Sequence, residues 1–284
     1  MGWNEKYWDT LDQLYWTPRY LGFRSIPKDT WRKSDGWICI PEDKLNRSAS
    51  LYTRDVRATD LRNFLQTQEE ILNHVFDITF AIAPDRLIAR AFLEPLGWSD
   101  EGPFLSVGRE ARQRYRWDAT ANNTQQDGLF VSDNSVVGVE LKLTSTSSAI
   151  QVAKYAALLA WEQKLHGLKD RVGLLYIVPE SALTDHWTHC GMAGRSIPPT
   201  FVQDVEAMKL PRQISGLIEN ERELWESTLR RMVLGVISWR DLQRCLADTR
   251  DGLDPSMPGE QTLVRLIDGF LDQLALHRHT GLDT

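Results

Sequence analysis

Residues 127–143 read Asp-Gly-Leu-Phe-Val-Ser-Asp-Asn-Ser-Val-Val-Gly-Val-Glu-Leu-Lys-Leu, and no other stretch restricts the fold as tightly. Two β-rich runs flank a polar turn centred on Asp133-Asn134, the pattern of a hairpin. A hairpin sets its own register, because side chains alternate between faces and the turn decides which residues meet. With a symmetric loop, paired residue numbers sum to 267, which sets Asp127 opposite Glu140. Directly opposed residues have Cβ atoms about 4.5–5.5 Å apart, and like charges there are destabilising. The period of two also puts Lys142 on the face of Glu140, while Val137, Val139, Leu141 and Leu143 point the other way, toward a core.

The residues after the hairpin complete a mixed sheet. Residues 144–148 supply helix N-cap candidates, Ala149 to about His166 forms an apolar helix ending near Gly167, and Val172–Val178, closed by Pro179, is a buried strand. Hairpin, helix and buried strand in that order make a small sheet with a right-handed crossover, hence an α/β protein. Before the hairpin, Leu61 to Ile78 recur at helical spacing, and Pro84 opens a second helix that stops at Pro95 or Gly97. Beyond about Phe201 the chain reads as helical. Leu224, Trp225, Leu229, Met232 and Val233 form one stripe, Ser238 and Asp241 resemble a capping box, and Leu263–Leu276 forms a last helix. The first sixty residues hold five of the eleven tryptophans, read as a wrap that docks indoles on the body, with a base-stacking platform as the alternative.

Two acids pressed together with a lysine call for compensation. A divalent cation supplies it, since hard oxygen ligands at small separation suit Mg²⁺ or Mn²⁺. Such an ion lowers the pKa of bound water and neutralises charge on a phosphodiester, with Lys142 positioning the attacking water. The bland alternative is a surface hairpin with a Glu–Lys ladder, worth only tenths of a kcal/mol. Gln151 and Tyr155, four apart, share a helical face and offer hydrogen bonds to a phosphate or a hydrated metal. If extended, residues 112–117 align Arg112, Arg114 and Arg116, a row suited either to phosphate oxygens or to ordinary surface ion pairs.

Asp127-Gly128, then Glu140-Leu141-Lys142, then Gln151-Val-Ala-Lys-Tyr155 resembles the PD-(D/E)XK nuclease superfamily, in its RecB-like branch with a QxxxY helix. The match covers residues 127–178. It implies a restriction-endonuclease-like core, with Asp127, Glu140 and the Leu141 carbonyl as metal ligands, Lys142 as the catalytic lysine, and Gln151 and Tyr155 as further active-site residues. Gln126 stands where the motif has Pro. Members of the branch often add a glutamate from the first core helix, for which Glu69, Glu70, Glu94 and Glu110 are candidates. The organisation expected is a Trp-rich extension over 1–60, a nuclease core over 61–200 and a helical region over 201–284.

Composition narrows the field further. The 284 residues are 42% hydrophobic and 25% charged, values of a folded chain rather than a disordered one. The 33 basic and 39 acidic residues leave a charge of −6, against a general polyanion binder. Cys39, Cys190 and Cys245 are too few and too scattered for a disulfide framework or the four-cysteine iron–sulfur cluster of some relatives. His186, His189 and Cys190 resemble a zinc corner but lack a fourth ligand and read instead as a satisfied loop cluster, and His277-Arg278-His279 reads as a frayed tail. Absence of a signal peptide pattern or an apolar run near the ~20 residues of a membrane span leads to the expectation of a cytoplasmic protein. The expected function is Mg²⁺- or Mn²⁺-dependent hydrolysis of DNA. The alternatives are a nucleic-acid-binding or assembly module without turnover, or an RNA-directed nuclease. The two extensions offer surfaces for a homodimer or a protein partner.

Overall fold

The computed structural model describes Trp3 and residues 32–34, 37–39, 55–57, 69–99, 102–107, 126–143, 147–190, 192, 195–208, 210, 212–277 and 280–282. For the strands before residue 60, and for 69, 70, 189, 206, 207, 212, 213 and 217, the backbone alone is described. Early in the chain, β1 (Arg32–Ser34), β2 (Trp37–Cys39) and β3 (Asp55–Arg57) form a three-stranded antiparallel sheet in a region whose sequence shows no period. Then come α1 (Glu69–Ala81) and α2 (Asp85–Ile88), the latter continued by a π turn and a 3₁₀ turn that stops at Gly97, in the left-handed region at φ +83°. Pro84 precedes α2, as its fixed φ favours.

The main sheet has the order β4-β5-β6-β7-β8, built from β4 (Leu105–Ser106), β5 (Gly128–Val131), β6 (Ser135–Leu141), β7 (Arg171–Val178) and β8 (Met232–Ser238). The pairs Gly128↔Val139, Leu129↔Gly138, Phe130↔Val137 and Val131↔Val136 reproduce the register expected from the turn. Between the parallel strands β6 and β7 runs α3 (Ala149–His166), apolar on almost every side because it lies buried against the sheet. Ser148 caps α3, and its capping box is closed by Gln151.

Alternate residues of the strands feed two cores. On the α3 side lie Leu129, Val136, Val172, Leu174 and Tyr176; on the other lie Phe130, Val137, Val139, Leu141, Leu175 and Ile177, with α1 and α2. An aromatic stack of Phe76, Phe80, Phe92, Phe130 and Phe270 ties α1 and the π turn after α2 to β5 and to the last helix, with the rings of Phe92 and Phe130 stacked at 5.0 Å. Glycine sets how closely these layers approach. A Cβ on Gly128 would lie 2.7 Å from Phe76, and one on Gly173 or Gly235 would lie 2.6 Å from Leu96.

After β7 come the helices α4 (His186–His189), α5 (Phe201–Ala207), α6 (Arg212–Asn220), α7 (Arg222–Arg231), α8 (Trp239–Asp251) and α9 (Pro258–Ala275). Here the structure departs from the sequence reading. The stripe from Leu224 to Val233 breaks at Arg231, and Met232–Ser238 becomes a fifth strand, parallel to β7. A continuous apolar run fits a helix and a buried strand equally by period, and pairing with β7 decides it. Ser238 and Asp241 do form the capping box, at the head of α8. His277 is buried beside Gln273 rather than frayed, while residues 278 and 279 lie outside the described residues. Trp3 docks on α9: its indole N–H donates to the Leu266 carbonyl at 3.0 Å. Among the described residues, no helix is long and apolar enough to cross a membrane.

Candidate metal centre

Asp127 lies just before β5, where the ladder slips. Its N–H donates to the Val139 carbonyl at 3.1 Å, one residue away from the register that pairs Gly128 with Val139. The slip takes Asp127 out of strict cross-strand opposition to Glu140 and leaves its carboxylate at the end of the strand, between the two helical layers. Both oxygens are held: Oδ2 accepts from the Leu141 N–H at 2.8 Å, and Oδ1 from Asn73 Nδ2 at 2.7 Å. Asn73 sits on α1 one turn before Phe76, so the Gly128 notch that seats Phe76 also brings Asn73 to Asp127.

Glu140 and Lys142 are each 5% exposed. Lys142 Nζ donates to Glu140 Oε1 at 2.6 Å, a buried ion pair within one strand face. Lys142 is fixed from behind, because its carbonyl accepts from the Trp239 indole N–H at 2.9 Å and its own N–H donates to Ile177. Trp239 is fully buried at the head of α8, so the C-terminal strand and helix hold the backbone of the site.

From α3, Tyr155 reaches the same place. Burial, then the charges of Glu140, Tyr176 and Asp127, together with a hydrogen bond to Glu140, hold its phenol well above the ordinary range. Tyr176 pairs with Glu140 across β6 and β7. Burial and then the Glu140 and Cys190 charges raise its phenol too, with Ser147 hydrogen-bonded in opposition. Cys190 is pushed up to about 11 by burial, against the pull of Lys142. His186 and Trp187 pack their rings on Tyr176 at 4.6 and 5.4 Å, an aromatic wall on the Glu140 side of the sheet.

Asp127, Glu140, Lys142 and Tyr155 therefore meet at one end of the sheet. Gln151 serves its own helix instead, since its Oε1 accepts from the Ser148 N–H at 3.2 Å and closes the cap of α3. Of the four candidate glutamates, only Glu94 has a described side chain; it is exposed, with Cys245 in electrostatic reach. Arg112, Arg114, Arg116 and Glu110 lie outside the described residues. Sequence reasoning missed Asn73 and Trp239, since neither stands in a motif and both reach the site only through tertiary packing.

Among the described residues, no group of three or more His, Cys, Asp or Glu side chains is placed to hold a metal. The two carboxylates and the Leu141 carbonyl would together be a hard-oxygen set, of the kind that suits Mg²⁺ or Mn²⁺ rather than zinc. Asn73 Oδ1, on the amide that holds Asp127, and both amide atoms of Gln126, over Gly138, are buried without a hydrogen-bond partner, and the two oxygens could accept from a hydrated ion. No protein-family model, curated protein or solved structure matches this chain.

Proposed function

We propose that the chain is a Mg²⁺- or Mn²⁺-dependent nuclease of the PD-(D/E)XK type, with a restriction-endonuclease-like core, that hydrolyses DNA phosphodiester bonds in the cytoplasm. The observation that carries the reading is the double anchoring of Asp127 to the Leu141 N–H and Asn73, at the strand end where Lys142 meets Glu140. Asp127, Glu140 and the Leu141 carbonyl would hold the ion. When bound, it supplies charge against the phosphoryl oxygens and lowers the pKa of a water. Lys142, fixed by Trp239, aims its ammonium at the attacking water, and Tyr155 keeps its proton and orients Glu140. Arg112, Arg114 and Arg116 are proposed to grip the phosphate backbone.

A second reading has one observation in its favour. Glu140 and Lys142 are buried and engage each other, as in a nucleic-acid-binding or assembly module that keeps the fold without turnover. A digestion panel on circular and linear, single- and double-stranded DNA, with RNA alongside and with Mg²⁺, Mn²⁺ or chelator, separates the two. Metal-dependent loss of DNA that disappears in Glu140→Ala supports the nuclease. Salt-dependent binding without turnover supports the module, and faster loss of RNA moves the substrate class.

A further inference from the structure

The Asp127 contact to Asn73 leaves an imbalance on α1. Nδ2 of Asn73 donates to the carboxylate, and Oδ1, on the same carbon, is buried beside it and accepts nothing. A second carboxamide repeats the pattern. Gln126 is 3% exposed, and neither its Oε1 nor its Nε2 has a partner. It lies over Gly138, where a Cβ would sit 2.5 Å from Nε2, so glycine is what admits the amide. Gly138 and Glu140 are two apart on β6 and share a face, which puts Gln126 on the Glu140 side of the sheet.

Buried polar groups left unpaired are costly, and folded proteins keep few of them. Around this strand end the Asp127 and Lys142 side chains already have partners, whereas the amide oxygens of Asn73 and Gln126 accept nothing. Those two orphaned oxygens suit a guest that offers them donors. Water on a divalent cation is such a guest: its lone pair faces the metal and its hydrogens face outward, and Mg²⁺ keeps several waters when bound.

We propose that Asn73 and Gln126 form the outer shell of the cation site, accepting hydrogen bonds from metal-bound water, and that Asn73 also orients Asp127 as a positioning residue. The inference rests on the metal-dependent reading above and adds two residues to it. Because the second amide of the pair stands where the motif has Pro, this chain receives a water ligand from a position the resemblance leaves apolar.

The test is calorimetric titration of full-length protein with Mn²⁺, with the electron paramagnetic resonance spectrum of bound Mn²⁺ as a second readout. Wild type should bind and Asp127→Asn should not. Asn73→Leu and Gln126→Leu should each weaken Mn²⁺ by about 10-fold or more, the range for loss of an outer-shell partner. Asn73→Asp should bind at least as tightly as wild type, because a carboxylate oxygen also accepts from metal-bound water, while its metal-free form melts lower through repulsion with Asp127. Should Asn73→Leu fail to fold, Asn73→Asp and Gln126→Leu decide. Wild-type affinity in Asn73→Leu and Gln126→Leu overturns the outer shell and leaves the nuclease reading standing. Failure of wild type itself to bind Mn²⁺ overturns both.

Discussion

Replacing Lys142 by methionine keeps the length of the side chain and removes its charge, leaving Glu140 without its counter-ion in a place where water hardly reaches. The pair is 2.6 Å apart, with each side chain 6% exposed. An exposed pair in this geometry contributes about 0–1 kcal/mol. Breaking a buried one by removing one partner costs about 3–5 kcal/mol, since the remaining charge has lost its solvation and its counter-ion. Against a total stability of about 5–15 kcal/mol this is a large fraction. At about 2–4 °C per kcal/mol, the metal-free variant should melt about 6–20 °C below wild type. The assay is urea and thermal unfolding in chelator for wild type, Lys142→Met, Glu140→Gln and the double variant. The double variant should recover much of the loss, giving a coupling energy outside the additive range of about 0.5 kcal/mol. Cleavage by Lys142→Met, measured below its melting range, should be abolished. A Lys142→Met protein within about 1 kcal/mol of wild type would refute the claim that the pair is desolvated, and with it the electrostatic picture of the site.

Trp239→Phe keeps the buried ring but removes the donor to the Lys142 carbonyl; the orphaned carbonyl should cost about 1–3 kcal/mol in urea unfolding, and cleavage should fall with it. A Cβ on Gly269 would lie 1.9 Å from Trp3 Nε1, so Gly269→Ala should dislodge the indole. Its effect on melting should match that of Trp3→Ala, and the two should not add. Cys190 should resist a thiol reagent at about pH 8 in the native state and react once unfolded. Because folding raises its thiol from 9.0 to about 11, the stability this group contributes is complete below pH 9 and is lost as pH rises through 11. Alkaline unfolding in that window, followed in wild type and Cys190→Ala, checks the sign.

The legible part of this fold is the part written in local chemistry. The Asp133-Asn134 turn and the alternation on either side of it suffice to predict four strand pairs, because turn geometry and face parity leave no second register. Ser148 and Gly167 bracket α3 for equally local reasons. The hidden part is long-range. Met232–Ser238 is as apolar as β7, yet its first residues extend the spacing of the helix before it, and only the vacant edge of β7 assigns them to a strand. Gln151 shares a helical face with Tyr155, but its position three residues after Ser148 makes it a capping residue first.

The same distinction explains the candidate site. Strict pairing would place Asp127 against Glu140 and leave the repulsion to a metal alone. The slipped ladder does something different: it gives the Asp127 carboxylate two donors of its own, one from the β6 backbone and one from α1, while Glu140 takes Lys142. Each acid therefore has a neutral or cationic partner within the chain, which lets two carboxylates sit at one strand end of the fold. Those partners come from positions 73, 141, 142 and, through the Lys142 carbonyl, 239, so the site spans the whole distance from the first described core helix to the C-terminal strand and helix. A motif of seventeen residues names the acids; the elements that make them tolerable lie tens of residues away on either side.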